Sequence, residues 1–338
     1  TTEIYTLSLH DALPILSTAQ IRALTPAKLA ALGTDVSALS NAAVTALTNQ
    51  QIAGLTMAQV EALTTNQVSR LTSSQLASLT TAQIQALETV DVAAISATVV
   101  AGFTTAQIAA LSTDQVKAFT TGQIARLDAA DVGAFNTAQL IALGSDQIGA
   151  LTAAQFAGLG STQVQAIEAS DFAALGSQVI GALKTSQITA LTTEQVDALT
   201  ASQIGALTVA QLAALSTEQL QALDVSSISA VNISGLTTAQ VASLSIAQIQ
   251  SLSAAQVGRL DTSDVKALTT AQIVALDSAQ LAGLTGAQLG ALSIEQVAAI
   301  EATDLSGISA SVIGSMTVAQ LRALSTEQVA ALSSAQFA

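Results

Sequence analysis

The sequence contains no Cys, no Trp, one His, one Tyr and two Pro. Those absences exclude most site chemistry. A Ser–His–Asp or Cys–His nucleophile pair, a His/Cys zinc site, a disulfide framework and a haem or iron–sulfur centre all need residues that are missing or occur once. Cations are scarce as well: nine Lys and Arg stand against 23 Asp and Glu in 338 residues, for a formal charge of −14. The cations occur singly and form no basic stripe, so no nucleic-acid partner is expected. Half of the residues are hydrophobic, yet every window of about 18 residues carries Thr, Ser, Gln or a charge, so no membrane insertion is expected.

Residues 1–15 stand apart from the rest and hold the only Tyr (Tyr5), the only His (His10) and Pro14. Codon by codon, this segment resembles a translated short-read sequencing adaptor. On that reading it is an artefact outside the fold, the genuine frame starts near Leu16, and the native N-terminus is truncated. Tyr5 and His10 then lose any claim to function.

From Leu16 onward the chain is self-similar with a period of eight. The stretch from Leu236 reads LTTAQVAS, LSIAQIQS, LSAAQVGR, LDTSDVKA, LTTAQIVA. The general pattern is Leu, Ser/Thr, x, x, Gln, Ile/Val/Leu, x, small, in about forty copies. Register slips are few: the octad from Leu32 is one residue short, and residues 223–235 replace two octads with 13 residues. No Gly- or Pro-rich linker interrupts the array, so 16–338 reads as a single domain.

The second position suits an N-cap and the fifth, three residues later, is usually Gln, which is capping-box spacing. The first and sixth positions then form a hydrophobic staple across the helix start. Box and staple together restart a helix every eight residues. One continuous helix is excluded because eight residues at about 100° each rotate the apolar stripe by roughly 80° per octad. Strands are excluded because the first and sixth positions have opposite parity and the filler is Ala. Helices this short are marginal alone, so neighbouring octads must cover one another. The predicted fold is all-α, a solenoid or superhelix of very short helices, one per octad, with a Leu/Ile/Val seam. Phe103, Phe119 and Phe135 fall sixteen apart, as do Phe156 and Phe172, which predicts that alternate octads stack on the same side.

Five octads replace the Thr-x-x-Gln box by acid-x-x-Asp: Glu88/Asp91, Asp128/Asp131, Glu168/Asp171, Asp261/Asp264 and Glu301/Asp304. They begin at 87, 127 and 167 and again at 260 and 300, forty residues apart within each run. Hard oxygen pairs at regular spacing make these ten residues candidate Ca²⁺ ligands. Against that, two carboxylates fall short of the roughly six to eight oxygens Ca²⁺ takes. An acid in a first helical turn is already explained by the helix dipole, at about 0.3–1 kcal/mol. Paired carboxylates also serve glycosidases, but here they recur as a lattice with no aromatic platform for a sugar. No catalytic residue and no cofactor is assigned, Ca²⁺ being the one ion considered. The repeated third-position Thr and Ala give an ice-binding array as a minor alternative.

With octads such as Phe103–Leu111 (FTTAQIAAL) and Leu268–Leu276 (LTTAQIVAL), the sequence resembles the Thr-Ala-Gln-rich repeat tracts of very large proteobacterial surface and secreted proteins, grouped with haemagglutinin-like or repeats-in-toxin adhesins. The resemblance implies a non-enzymatic stalk or spacer, an extracellular or cell-surface location, and a protein or cell-surface ligand held by domains outside this segment. It transfers no catalytic residue, and the Gly-Gly-x-Gly-x-Asp calcium repeat of the toxin group is absent. The alternative is a solenoid scaffold for protein–protein interaction, which should cluster aromatics or charge on one face.

Overall fold

The computed structural model describes residue 13 and residues 16–336. The segment 1–15, with Tyr5 and His10, lies outside the described residues except for Leu13. The chain forms two compact units, Thr1–Leu175 and Gly176–Ala338. In each, α-helices of four to six residues follow one another, with no strand among the described residues. The protein is therefore an all-α solenoid-like repeat.

The octad Phe103–Ala110 shows how each helix starts and stops. Thr104 is extended (φ −93°, ψ 154°), and its hydroxyl accepts the Gln107 N–H at 3.3 Å while Gln107 Oε1 accepts the Thr104 N–H at 2.8 Å. These are the two reciprocal bonds of a capping box. The helix Thr105–Ala110 ends when Leu111 turns extended (φ −59°, ψ 141°), its N–H donating to the Ile108 carbonyl. Helices commonly stop on a left-handed residue, but among the described residues only Gly33 has a positive φ. Here the leading Leu of the next octad does the stopping, and then serves as the residue before the next N-cap. One helix per octad follows directly. The two register slips fall where the helix tightens to 3₁₀ geometry, at Gly33–Ala38, Val225–Ser227 and Ile233–Gly235.

The first and sixth positions build the core in both units. In the first, Ile108, Leu111, Val116 and Phe119 are all buried; in the second, Val241, Leu244, Ile249 and Leu252 are. Helices pack against those three octads away. Thr105–Ala110 lies on Thr81–Gln85 and Ala129–Gly133, and Thr262–Ala267 lies on Thr238–Ser243 and Gly286–Ala291. The predicted stacking of alternate octads is thus corrected. The Phe residues sixteen apart do meet, Phe103 with Phe119 at 6.0 Å and Phe156 with Phe172 at 6.1 Å, both edge to face. That contact is made by side chains reaching into the core, while the backbone packs in steps of three. Small residues permit the close approach: a Cβ on Gly102 would lie 2.6 Å from the Ser73 carbonyl oxygen, three octads back.

Candidate functional site

The most regular polar feature is a ladder made by the fifth-position Gln. In the box, only Oε1 is used locally. The Nε2 amide points the other way, into the end of the helix four octads earlier. Gln115 Nε2 donates to the carbonyls of Ile84 and Leu87, each at 2.8 Å. Gln139 does the same to Ile108 and Leu111 at 2.9 and 2.8 Å, and in the second unit Gln288 to Val257 and Leu260 at 2.8 and 2.7 Å. One buried amide therefore starts its own helix and satisfies carbonyls left open at the end of another. Packing in steps of three and bonding in steps of four means that a turn of the coil holds between three and four octads in each unit.

The register slips show that the ladder counts octads and not residues. The usual offsets are 31 and 28 residues, as for Gln115. Downstream of the short octad at Leu32, Gln51 bonds Ile21 and Leu24 at offsets of 30 and 27. Across the 13-residue segment, Gln240 bonds Leu212 and Leu215 at 28 and 25, and Gln256 returns to 31 and 28. A packed coil keeps the spatial partner and lets the sequence offset change.

The acidic octads put Asp into the Gln slot. Asp91, Asp131, Asp171 and Asp264 are buried there and Asp304 is half-buried, whereas their N-cap partners Glu88, Asp128, Glu168, Asp261 and Glu301 are exposed. An ionised carboxylate has no proton to donate to carbonyls. Three of the five instead accept from the third position of the octad three before. Asp171 accepts from the Ser145 hydroxyl at 2.5 Å, Asp91 from the Thr65 hydroxyl and Asp304 from the Ser278 amide. Burial pushes the carboxyls of Asp131 and Asp264 up to about 6, with the neighbouring Asp128 and Asp261 adding to the rise. Asp91 and Asp304 are raised for the same first reason, burial. Asp261 moves the other way, held below the usual range by the Ser263 hydroxyl and the Asp264 amide.

The ten candidate calcium ligands are thus split, one carboxylate of each pair in solvent and the other in or near the core. Among the described residues no group of three or more His, Cys, Asp or Glu comes together to hold a metal ion. The coil brings together octads three and four apart, and acidic octads in one run are five apart. A shallow polar groove lined by Thr120, Thr121, Gly144, Ser145 and Asp146 lies between two helix starts. No helix among the described residues is long and apolar enough to cross a membrane. The ladder itself was missed from the sequence, although a signal for it existed: a capping box accepts Glu or Gln at its third helical position, yet no octad here carries Glu at that place. Only Gln has the second, donating end.

A coil of single-octad helices tied by buried glutamines defines a structural repeat protein. The chain belongs to the ALTTAQ repeat family, whose model matches residues 84–121, 124–161, 164–201, 257–294 and 297–338, more than half of the sequence. Each matched copy begins three residues before an acidic octad. In this chain the matched copies therefore recur every five octads within each run, each with one acidic box. No curated protein matches the chain.

Proposed function

We propose that this chain is a non-enzymatic spacer, the stalk segment of a large bacterial surface or secreted adhesin-like protein, with residues 1–15 taking no part. The observation that carries this reading is the glutamine ladder. It spends the repeat's polar chemistry on joining one octad to the next, and no buried side-chain nitrogen or oxygen among the described residues lacks a partner. The short exposed side chains, mostly Thr, Ser and Ala, offer few of the aromatic or Arg anchors that mark binding surfaces. A spacer depends on block number and not on the identity of any one block. Excising one five-octad block, residues 124–163, should leave helicity per residue unchanged and shorten the molecule, whereas excising two and a half octads should cost stability. Loss of a measurable activity on removing one particular block would count against the spacer.

One observation favours the second reading, a scaffold for another protein. Ile246, Val274, Ile294 and Val318 are exposed on helices that pack successively three octads apart in the second unit. A partner pulled down at micromolar affinity and lost on converting these four to Thr would favour the scaffold over the spacer.

A further inference from the structure

The ladder is interrupted wherever an acidic octad falls, and the interruption leaves particular backbone groups open. For Asp131 the carbonyls in the ladder positions are those of Val100 and Phe103. Val100 keeps a bond from the Phe103 amide, but the Phe103 carbonyl receives none, and Phe103 is buried. The same holds for Leu236 opposite Asp264, Leu63 opposite Asp91 and Leu143 opposite Asp171. A buried carbonyl without a donor costs about 1–3 kcal/mol, so each acidic octad marks a weak joint between turns. Valine fills the slot in an octad that follows, Val99 after Asp91 and Val312 after Asp304.

We propose that the acidic octads of Asp131 and Asp264 are proton-sensitive seams in the ladder: open joints while the buried Asp is ionised, closed ones once it is protonated and can donate. The donor count carries the argument. Gln brings two N–H donors to the carbonyls four octads back, ionised Asp brings none, and protonated Asp brings one. The surroundings make the proton count. Around Asp131, the packed helices Thr105–Ala110 and Ala153–Ala157 carry no charged residue, and neither do Ala97–Val100 and Ser161–Ala166, four octads before and after; Asp128 is the near charge and Arg126 is exposed. Around Asp264, Ile233–Gly235, Thr238–Ser243 and Gly286–Ala291 carry none; Asp261, Lys266 and the Glu295 of Ile294–Ala299 are all exposed. No neighbouring cation stabilises the ionised form of either Asp. With burial lifting both carboxyls to about 6 from 3.8, their change of state lies between neutral and mildly acidic pH.

The test compares the wild type with Asp131→Gln/Asp264→Gln, which installs the repeat's own bridging residue and so preserves the fold. A control, Glu295→Gln/Glu327→Gln, removes the same charge from exposed positions. Between pH 7 and pH 5 the wild-type unfolding constant should fall about tenfold for each of the two carboxylates. In the double Asp variant the roughly hundredfold contribution of these two carboxylates should be lost, leaving only what Asp91 and Asp304, also raised by burial, supply, and in the Glu control the full response should persist. Hydrogen exchange, corrected for intrinsic pH dependence, should show segment 97–103 less protected than 105–111 at pH 7, with the difference narrowing at pH 5. A pH response undiminished in the double Asp variant, or lost in the Glu control, would overturn the proposal.

Discussion

Replacing Gln115 by Met tests the ladder with the least disturbance, because the two side chains have similar length and volume and no cavity is made. Four bonds are lost: the Ser112 N–H to Oε1 at 2.9 Å, the two from Nε2 to Ile84 and Leu87, and a long one from Nε2 to the Gln85 carbonyl at 3.4 Å. Their consequences differ. The Ile84 carbonyl keeps the Leu87 amide, so that loss removes about 0.5–1.5 kcal/mol. The Leu87 carbonyl has Gln115 as its donor and Leu87 is buried, so its orphaning costs about 1–3 kcal/mol. Ser112 is exposed and water can replace the lost half of its box, at about 0.5 kcal/mol. The sum is about 2–5 kcal/mol, against less than about 0.5 for Gln250→Met, the same substitution at an exposed seventh position. Urea unfolding gives the overall change. Because repeat arrays do not always unfold in one step, hydrogen exchange should locate it, with protection falling in both 79–87 and 111–118. A Gln115→Met variant within about 0.5 kcal/mol of wild type would show that these amides do not tie the turns together.

Gly102→Ala should destabilise by about 1–3 kcal/mol, since its Cβ would meet the Ser73 carbonyl oxygen at 2.6 Å; an unchanged melting temperature would refute the close approach. Gly144→Ser should stabilise by a few tenths of a kcal/mol, because the site is open and a hydroxyl there can cap Gln147; differential scanning calorimetry resolves the sign. The acid side of the pH profile should fall. Asp224, Asp261, Glu218 and Glu295 are lowered by hydrogen bonds to their carboxylates, so their stabilisation is present above the unfolded carboxylate range and disappears as pH drops through the folded values. Together with the raised Asp131 and Asp264, which favour folding more as pH falls from about 6 towards 3.8, this places maximal stability near pH 4–5; a maximum at pH 7 or above would contradict it. Calcium at millimolar concentration should leave the melting temperature unchanged, as each acidic pair presents one exposed carboxylate and Ca²⁺ takes about six to eight oxygens.

The local half of the fold was legible because local chemistry sets it. A Ser or Thr three residues before Gln starts each helix, and the following Leu stops it, so the helix positions follow from a few residues read in order. The seam at the first and sixth positions was legible for the same reason. The coil's pitch was not, because it depends on where Gln115 Nε2 finds its carbonyls, 31 and 28 residues away. The sixteen-residue spacing of the Phe residues suggested the wrong step: bulky side chains can meet across a core without their helices stacking. The spacing of the acidic octads was plain in the sequence. That Asp131 is buried and Asp128 exposed was not, since burial comes from helices three and four octads away.

The pitch also accounts for the forty-residue spacing. In this coil an octad's neighbours across turns are the third and fourth before and after it. Had the acidic box recurred every three or four octads, each buried Asp would have another stacked directly above it. Two ionised carboxylates in one partly desolvated column repel strongly, and each raises the other's pKa. Five octads is the shortest longer period, and it shares no factor with three or four, so acidic octads do not coincide in either lattice direction until fifteen or twenty octads have passed. The helix of Asp131 accordingly packs on Thr105–Ala110 and Ala153–Ala157, neither of which carries a charge. The spacing that first suggested a ladder of ion sites is the one that keeps its carboxylates apart. Moving an acidic box by one octad should expose the constraint: Thr120→Asp/Gln123→Asp places a new buried carboxylate four octads after Asp91. Such a variant should lose more stability at pH 7 than at pH 5, and so should Thr152→Asp/Gln155→Asp, whose octad lies three after that of Asp131. Equal losses at both pH values in both variants would remove charge separation as the reason for the period.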